Sequence, residues 1–316
     1  MKAMAFTGPR RAELLDWPDL PAQLQPRELD GRTLVSLTSP GTELNGFIAE
    51  RKEPGLSGYA TVFEVERVGA DVANIKPGDR VFHMGKHVSR QRCEPGGCVP
   101  LPAGLAPELA VFARLMCVSW TTFQNTTARP PDRVLVTGLG IIGNLAAQVF
   151  QAGGYRVTAV DPAEDRRQLA RTTGLCDVRA AVPADITDFG LAVECSGHEQ
   201  AVLDCCKAVR KRGEVALVGV PWRKRTDLAA FDILHAVFHR YVVLRSGWEW
   251  EAPWLQTEFR VGSILGNLAG AVDWLAQGRI NVAGLYRTAS PSEAQSVWDD
   301  LLAQRGGYLA AVFKWA

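Results

Sequence analysis

RVLVTGLGIIGNLAAQVFQAGGYRVTAVD, residues 133–161, reads as a strand, a glycine turn, a helix and a second strand. Val134, Leu135 and Val136 form the short apolar run that a strand covered on both faces requires. Gly138, Gly140 and Gly143 stand in the G-x-G-x-x-G spacing. The first permits a tight turn, the second lets backbone approach a pyrophosphate, and the third lets the helix lie close to the sheet. Ile141, Ile142, Leu145, Ala146, Val149 and Phe150 recur at helical spacing, so the helix has one buried face and an N-terminus aimed at phosphates. Gly153 and Gly154 end it. Asp161 closes the second strand, where its carboxylate can accept hydrogen bonds from a ribose diol and would repel a 2′-phosphate. Strand, turn, helix, strand and acid agree in order and spacing, and predict a site for NAD in preference to NADP. Arg166, just beyond the acid, joins the cofactor set.

Downstream, strands and helices continue to alternate to about residue 246. Predicted helices run over Glu164–Thr173, ended by Gly174, over Glu199–Arg210, ended by Gly213, and over Leu228–His239. Between them lie the strand-like pieces LAVECSG, EVALVGV and YVVLRS. This pattern predicts an α/β domain with a doubly wound parallel sheet, whose ligands sit at the carboxyl ends of the strands. Cys195, Ser196, Gly197, Gly219 and Val220 then fall on the rim where a nicotinamide ring would lie. Trp222, Trp248, Trp250 and Trp254 crowd the segments after the fifth and sixth strands. They read as core or interface residues, or as walls of a pocket for a flat or large apolar ligand.

Upstream the texture changes. Residues 1–125 are strand-sized pieces punctuated by Gly and Pro, such as AMAFTG, YATVFEVERVG and GDRVFHMGKHV, and predict a mostly β barrel or sandwich. The last of these pieces, read as one strand, puts His83 and His87 on one face. The pattern turns helical around Pro107–Thr127, which places a cofactor domain at 126–264 and a tail at 265–316. A formal charge of +1 lacks the basic field that nucleic-acid binding uses, so a small molecule is the expected partner. No apolar run approaches membrane-spanning length, and MKAMAFTGPR lacks the apolar core of a signal peptide. Seven scattered cysteines, an odd number, read as free thiols in a reducing compartment, and the expected localisation is cytoplasmic.

MKAMAFTGP at the start, Gly41-Thr42-Glu43, VERVGADVANIKPGDRVF at 65–82, VLVTGLGIIG and GEVALVGVP together resemble the medium-chain dehydrogenase/reductase superfamily over nearly the whole chain. The resemblance implies a GroES-like first domain, a Rossmann cofactor domain, a C-terminal return that packs with the first domain, and a homodimer. Zinc-dependent members carry Cys before Gly-Thr-Asp and a Gly-His-Glu segment, where this chain has Pro40 and Gly58-Tyr59-Ala60. Cys117 stands near the place of a third ligand, and Cys93 and Cys98 have no second pair for a structural zinc lobe. One thiolate cannot hold a catalytic zinc that takes about three protein ligands, so the expectation is a zinc-free member.

Another group must then polarise the carbonyl and handle the proton. Thr42 matches the family position whose hydroxyl touches the substrate oxygen, and Glu43 beside it can orient that hydroxyl, act as base or only tie loops together. Tyr59 replaces the ligand His and can donate from its phenol. His83 and His87 are the imidazoles of the first domain. For Tyr59, His83 and His87 a structural role stands as an equal alternative. Cys117, Trp120 and Trp248 are the candidate pocket residues. The expected function is an NAD-dependent, zinc-independent dehydrogenase of a secondary alcohol or its ketone, in a biosynthetic pathway. Ser39-Pro40-Gly41-Thr42-Glu43 resembles a branch of the superfamily that includes the bacteriochlorophyllide hydroxyethyl dehydrogenases, which implies a bulky substrate. An enoyl or quinone reductase is the alternative within enzymes, and a non-catalytic dinucleotide-binding protein or redox sensor is the alternative outside them.

Overall fold

The computed structural model describes residues 1–315. Two units divide the chain: Met1–Arg114, Leu268–Gly278 and the residues from Gly284 on form the first, and Leu115–Asn267 with Arg279–Ala283 the second. Strands dominate the start: β1 (Lys2–Gly8), β2 (Arg11–Asp16), β3 (Leu29–Leu37), then helix α1 (Pro40–Ile48), β4 (Gly55–Leu56), β5 (Thr61–Val68), β6 (Arg80–His83), β7 (Arg90–Cys93) and β8 (Cys98–Pro100). Helices α2 (Pro107–Ala110) and α3 (Ala113–Asn125) follow. The second unit then alternates β9 (Arg133–Thr137), α4 (Ile141–Ala152), β10 (Arg156–Val160), α5 (Glu164–Thr172), β11 (Asp177–Arg179), β12 (Phe189–Glu194), α6 (Glu199–Ala208), β13 (Val209–Leu217), α7 (Ala230–Arg240) and β14 (Val243–Ser246). Helix α8 (Ile264–Ala276), β15 (Tyr286–Ala289), α9 (Ala294–Ala303) and β16 (Ala310–Lys314) complete the chain.

In the first unit β2, β1 and β4 make one small sheet, and a larger one runs β15-β16-β3-β5-β6-β8 with β7 also on β3. Apolar alternation along these strands supplies its cores. Leu29, Phe63, Val65 and Val81 fill one. Met4, Phe6, Phe47, Trp298 and Phe313 fill the other, with the rings of Phe6 and Trp298 edge to face at 5.2 Å. Strand β16 lies antiparallel to β3, pairing Val312 with Leu37, so the end of the chain completes the sheet that its start began. Strand β6 stops at His83, and His87 lies in the following turn, so the two imidazoles do not share a strand face as the alternation suggested. Two glycines explain the break. A Cβ on Gly85 would lie 2.1 Å from the Gln91 side chain, and Gly58, at φ +90°, packs its bare face on the His87 ring.

The second unit is a parallel sheet of six strands in the order β11-β10-β9-β12-β13-β14. Chain order reverses between β9 and β12, which is where an open α/β sheet leaves a crevice at its carboxyl edge. Val134, Val136, Leu191 and Val193 are fully buried in its core, as the continuous apolar runs require. Helix α6 ends at Ala208, short of the Arg210 predicted from its periodicity. Buried, β-branched Val209 pairs with Phe189 instead and opens β13. Gly213, which reads as a helix stop, falls where the register of β13 against β12 shifts. Among the described residues no helix is long and apolar enough to cross a membrane.

Candidate active site

At the carboxyl edge of the second unit's sheet, β9 runs into Gly138 at φ +82° and α4 begins at Ile141. A Cβ on Gly143 would stand 1.8 Å from the Gly138 carbonyl oxygen, so only glycine lets the first turn of α4 close on the loop. Gly140 has the opposite surroundings, since a Cβ there would meet nothing within 4 Å and its bare backbone borders open space. Ile141 is buried and Ile142 half-buried against the core, which aims the amide end of α4 at that space.

Asp161 follows β10 directly and is 2% exposed. Its Oδ2 accepts from the Leu139 amide at 2.7 Å and its Oδ1 from the Ala163 amide at 2.9 Å. Each carboxylate oxygen keeps a second lone pair. Arg166 Nη1 lies 3.5 Å from Oδ2, so a cation shares this position with the acid.

The rim past β12 is built around a carboxylate that the sequence reading passed over. Glu194, with no exposed surface, accepts from the Ser196 amide at 2.7 Å, the Gly197 amide at 3.0 Å and the Ser196 hydroxyl. Burial pushes its carboxyl above the ordinary range, and these donors oppose the rise. The signal was present as an acid closing the apolar run LAVE just before Ser196-Gly197. A Cβ on Gly219 would lie 2.4 Å from the Gly197 amide, so the turns after β12 and β13 touch backbone to backbone. Cys195 is half-buried in this turn, and Val220 is 49% exposed beside it.

Of the pocket candidates in this unit, Cys117 is fully buried with its thiol toward the Ile264 carbonyl, and Trp120 packs edge to face on Phe123. Trp248 is 64% exposed. Trp222 and Trp250 are also exposed, so these three tryptophans are not core residues. Trp250 stacks on Trp254 instead.

In the first unit the polar candidates gather at the start of α1. Ser39 precedes the helix, Pro40 opens it, and Glu43 turns back so that Oε1 accepts from the Ser39 amide at 2.7 Å. Glu43 Oε2 lies 3.2 Å from His87 Nε2, both side chains being buried. His87 Nδ1 lies 2.7 Å from Ser36 Oγ, which accepts from the Trp315 indole at 2.8 Å. The indole can only donate, so Ser36 Oγ accepts from it, and a carboxylate oxygen only accepts, so His87 Nε2–H donates to Glu43.

Tyr59 stands in front of this pair. Its hydroxyl donates to Ser39 Oγ, with Thr42 Oγ1 at 3.4 Å, and Thr42 itself is exposed. The Arg114 guanidinium carbon sits 4.7 Å from the centre of the Tyr59 ring. Burial pushes the phenol pKa up, and Arg114 and the two hydroxyls pull against it. Thr42, Glu43, Tyr59 and His87 are therefore brought together, and Ser36, Ser39 and Arg114 join them. His83 is held elsewhere, its Nδ1 donating to the Gly97 carbonyl at 2.9 Å with its ring against Phe63, and burial pushes its pKa down.

The galactitol-1-phosphate dehydrogenase of Escherichia coli superposes with a TM-score of 0.83 at 17% identity, over 99% of this chain and 100% of that one. In sequence, an alcohol dehydrogenase of Rhizobium meliloti (strain 1021) is 28% identical over 210 residues, 53% of this chain and 61% of its own. An L-threonine 3-dehydrogenase of Streptomyces avermitilis is 29% identical over 210 residues, 54% and 61% of the two chains. A family described as zinc-binding dehydrogenase matches residues 142–252. In sequence and in fold the chain is thus similar to the medium-chain dehydrogenase/reductase superfamily. Its first domain is the superfamily's GroES-like unit and its second the Rossmann unit. The match to these curated superfamily relatives spans about 61% of their length. The stretch matched by the zinc-binding family lies wholly in the Rossmann unit and includes neither Pro40 nor Tyr59.

Proposed function

We propose that the protein is an NAD-dependent, zinc-independent dehydrogenase that interconverts a secondary alcohol and its ketone. The observation that carries this reading is the Tyr59 phenol, hydrogen-bonded to Ser39 and beside exposed Thr42, at the position where zinc-dependent relatives hold a metal-ligating His. Zinc does not fit the residues present. Pro40 has no donor atom to offer, Glu43 and His87 already satisfy each other and the Ser39 amide, and among the described residues no three His, Cys, Asp or Glu side chains group as ligands.

A dinucleotide fits the Rossmann unit. Gly140 leaves bare backbone at the helix N-terminus, Asp161 retains lone pairs for a ribose diol, and Glu194 fixes the Ser196-Gly197 turn on the rim. Arg166 is the feature that favours NADP, and the buried Asp161 carboxylate beside it outweighs it by repelling a 2′-phosphate. The bound nicotinamide would supply or accept the hydride. The chain's own residues handle the proton: Tyr59 gives it to the developing alkoxide in reduction and takes it from the alcohol in oxidation, while Thr42 contacts the same oxygen. Glu43 and His87 hold the start of α1 in place behind them. His83, tied to Gly97, has no part in this assignment.

The reading includes a homodimer. Strand β14 is a sheet edge, and beside it Phe231, Leu234 and Phe238 repeat along one side of α7 at 66–76% exposure, with Tyr241 at 70%. An exposed apolar stripe next to an open strand edge is what a second copy of the chain would cover.

Three outcomes check this reading. Tyr59→Phe should lower turnover by about 10²-fold while leaving NADH affinity nearly unchanged, as steady-state kinetics and NADH titration would show, and wild-type turnover would remove Tyr59 from the chemistry. Asp161→Ala should weaken NAD binding by about tenfold and relax discrimination against NADP, and equal NAD affinity in the variant would contradict the cofactor assignment. Phe238→Asp should convert a dimer to a monomer in sedimentation analysis, and a monomeric wild type would overturn the oligomer.

A further inference from the structure

Arg114 is a charge in an apolar run. The sequence around it, VFARLMCV, surrounds it with hydrophobic residues, and the side chain is 5% exposed. A buried cation needs a partner within reach, and the face of the Tyr59 ring at 4.7 Å provides one. The charged groups facing this phenol are Arg114 from α3 and Glu43 from α1, and Ser39 and Thr42 supply its hydrogen-bonding partners. Burial and, to a smaller extent, Glu43 oppose ionisation of the phenol, and Arg114, ahead of the Ser39 and Thr42 hydroxyls, favours it.

We propose that Arg114 is a positioning residue that sets the acid strength of Tyr59, its guanidinium holding the ring face while Ser39 aims the hydroxyl, so that a tyrosine–arginine pair stands where relatives use a metal. This rests on the reading of Tyr59 as the proton donor. In reduction the phenol O–H bond breaks and the alcohol O–H bond forms as the carbonyl carbon gains the hydride. The phenolate left behind is stabilised by Arg114 and regains its proton from solvent past exposed Thr42. In oxidation the phenolate takes the alcohol proton and the same steps run backwards. The nicotinamide redox pair and one solvent proton balance the reaction.

The test is the ionisation of Tyr59 itself, followed by tyrosinate ultraviolet absorbance as a difference between each protein and its Tyr59→Phe counterpart, without added cofactor. Arg114→Met should move this ionisation upward by about one pH unit, and Arg114→Lys, which keeps the charge but not the planar fork, by less. The rise of alcohol oxidation with pH should move by the same amount in each variant, with NADH affinity unchanged. If Arg114→Met does not fold, the Arg114→Lys titration stands alone, and a wild-type profile there would overturn the proposal. An unchanged Tyr59 titration in folded Arg114→Met would also overturn it. That result, combined with a large loss of turnover in Tyr59→Phe, would leave Tyr59 as the acid and remove only Arg114. Wild-type turnover in Tyr59→Phe would instead remove the reading on which the proposal rests, and the proposal with it.

Discussion

The Glu43 carboxylate is buried, and both of its oxygens must be answered. A desolvated carboxylate with no donor would cost several kcal/mol, and here the Ser39 amide answers one oxygen and the His87 imidazole the other. The consequences reach through the GroES-like unit. The first bond fixes the start of α1, and the second pins the turn after β6, where Gly58 makes room for the His87 ring. Through Ser36 the network continues to β3 and to Trp315 at the end of the chain. With α1 held in this way, Ser39 and Thr42 stand where Tyr59 can meet them. A charge too expensive to leave unpaired thus orders the hydroxyls of Ser39, Thr42 and Tyr59.

The Rossmann unit depends on close approach instead of on charge. Gly143 against Gly138, and Gly219 against Gly197, bring backbone to backbone at the carboxyl edge of the sheet, and Glu194 ties the Ser196-Gly197 turn from below. Each contact removes a degree of freedom from the rim before any ligand arrives, which is the structural meaning of preorganisation. The same economy explains why the candidate cofactor residues come from four separate strand ends and still form one edge.

Legibility in the sequence followed the range of the interactions. The glycine turn, its helix and Asp161 are local and periodic, and their elements stand where the pattern of residues 133–161 put them. The Rossmann and GroES-like classes were readable for the same reason. Glu194 carried a local signal that was passed over. Ser36 and Arg114 carried little, since one lies far along the chain from its partner His87 and the other reads as a stray charge in an apolar helix. The strand assumed through His87 failed because alternation continued on paper after glycines had ended it in space. The helix drawn to Arg210 failed because cross-strand pairing of Val209 overrode helical periodicity.

We propose that side-chain hydroxyls, and no metal ion, meet the substrate oxygen. The most direct measurement is the zinc content of the purified protein together with alcohol–ketone turnover before and after dialysis against a strong chelator. The expected result is no stoichiometric zinc and undiminished turnover. One tightly held zinc per chain, with turnover lost on its removal and restored on its return, would contradict it.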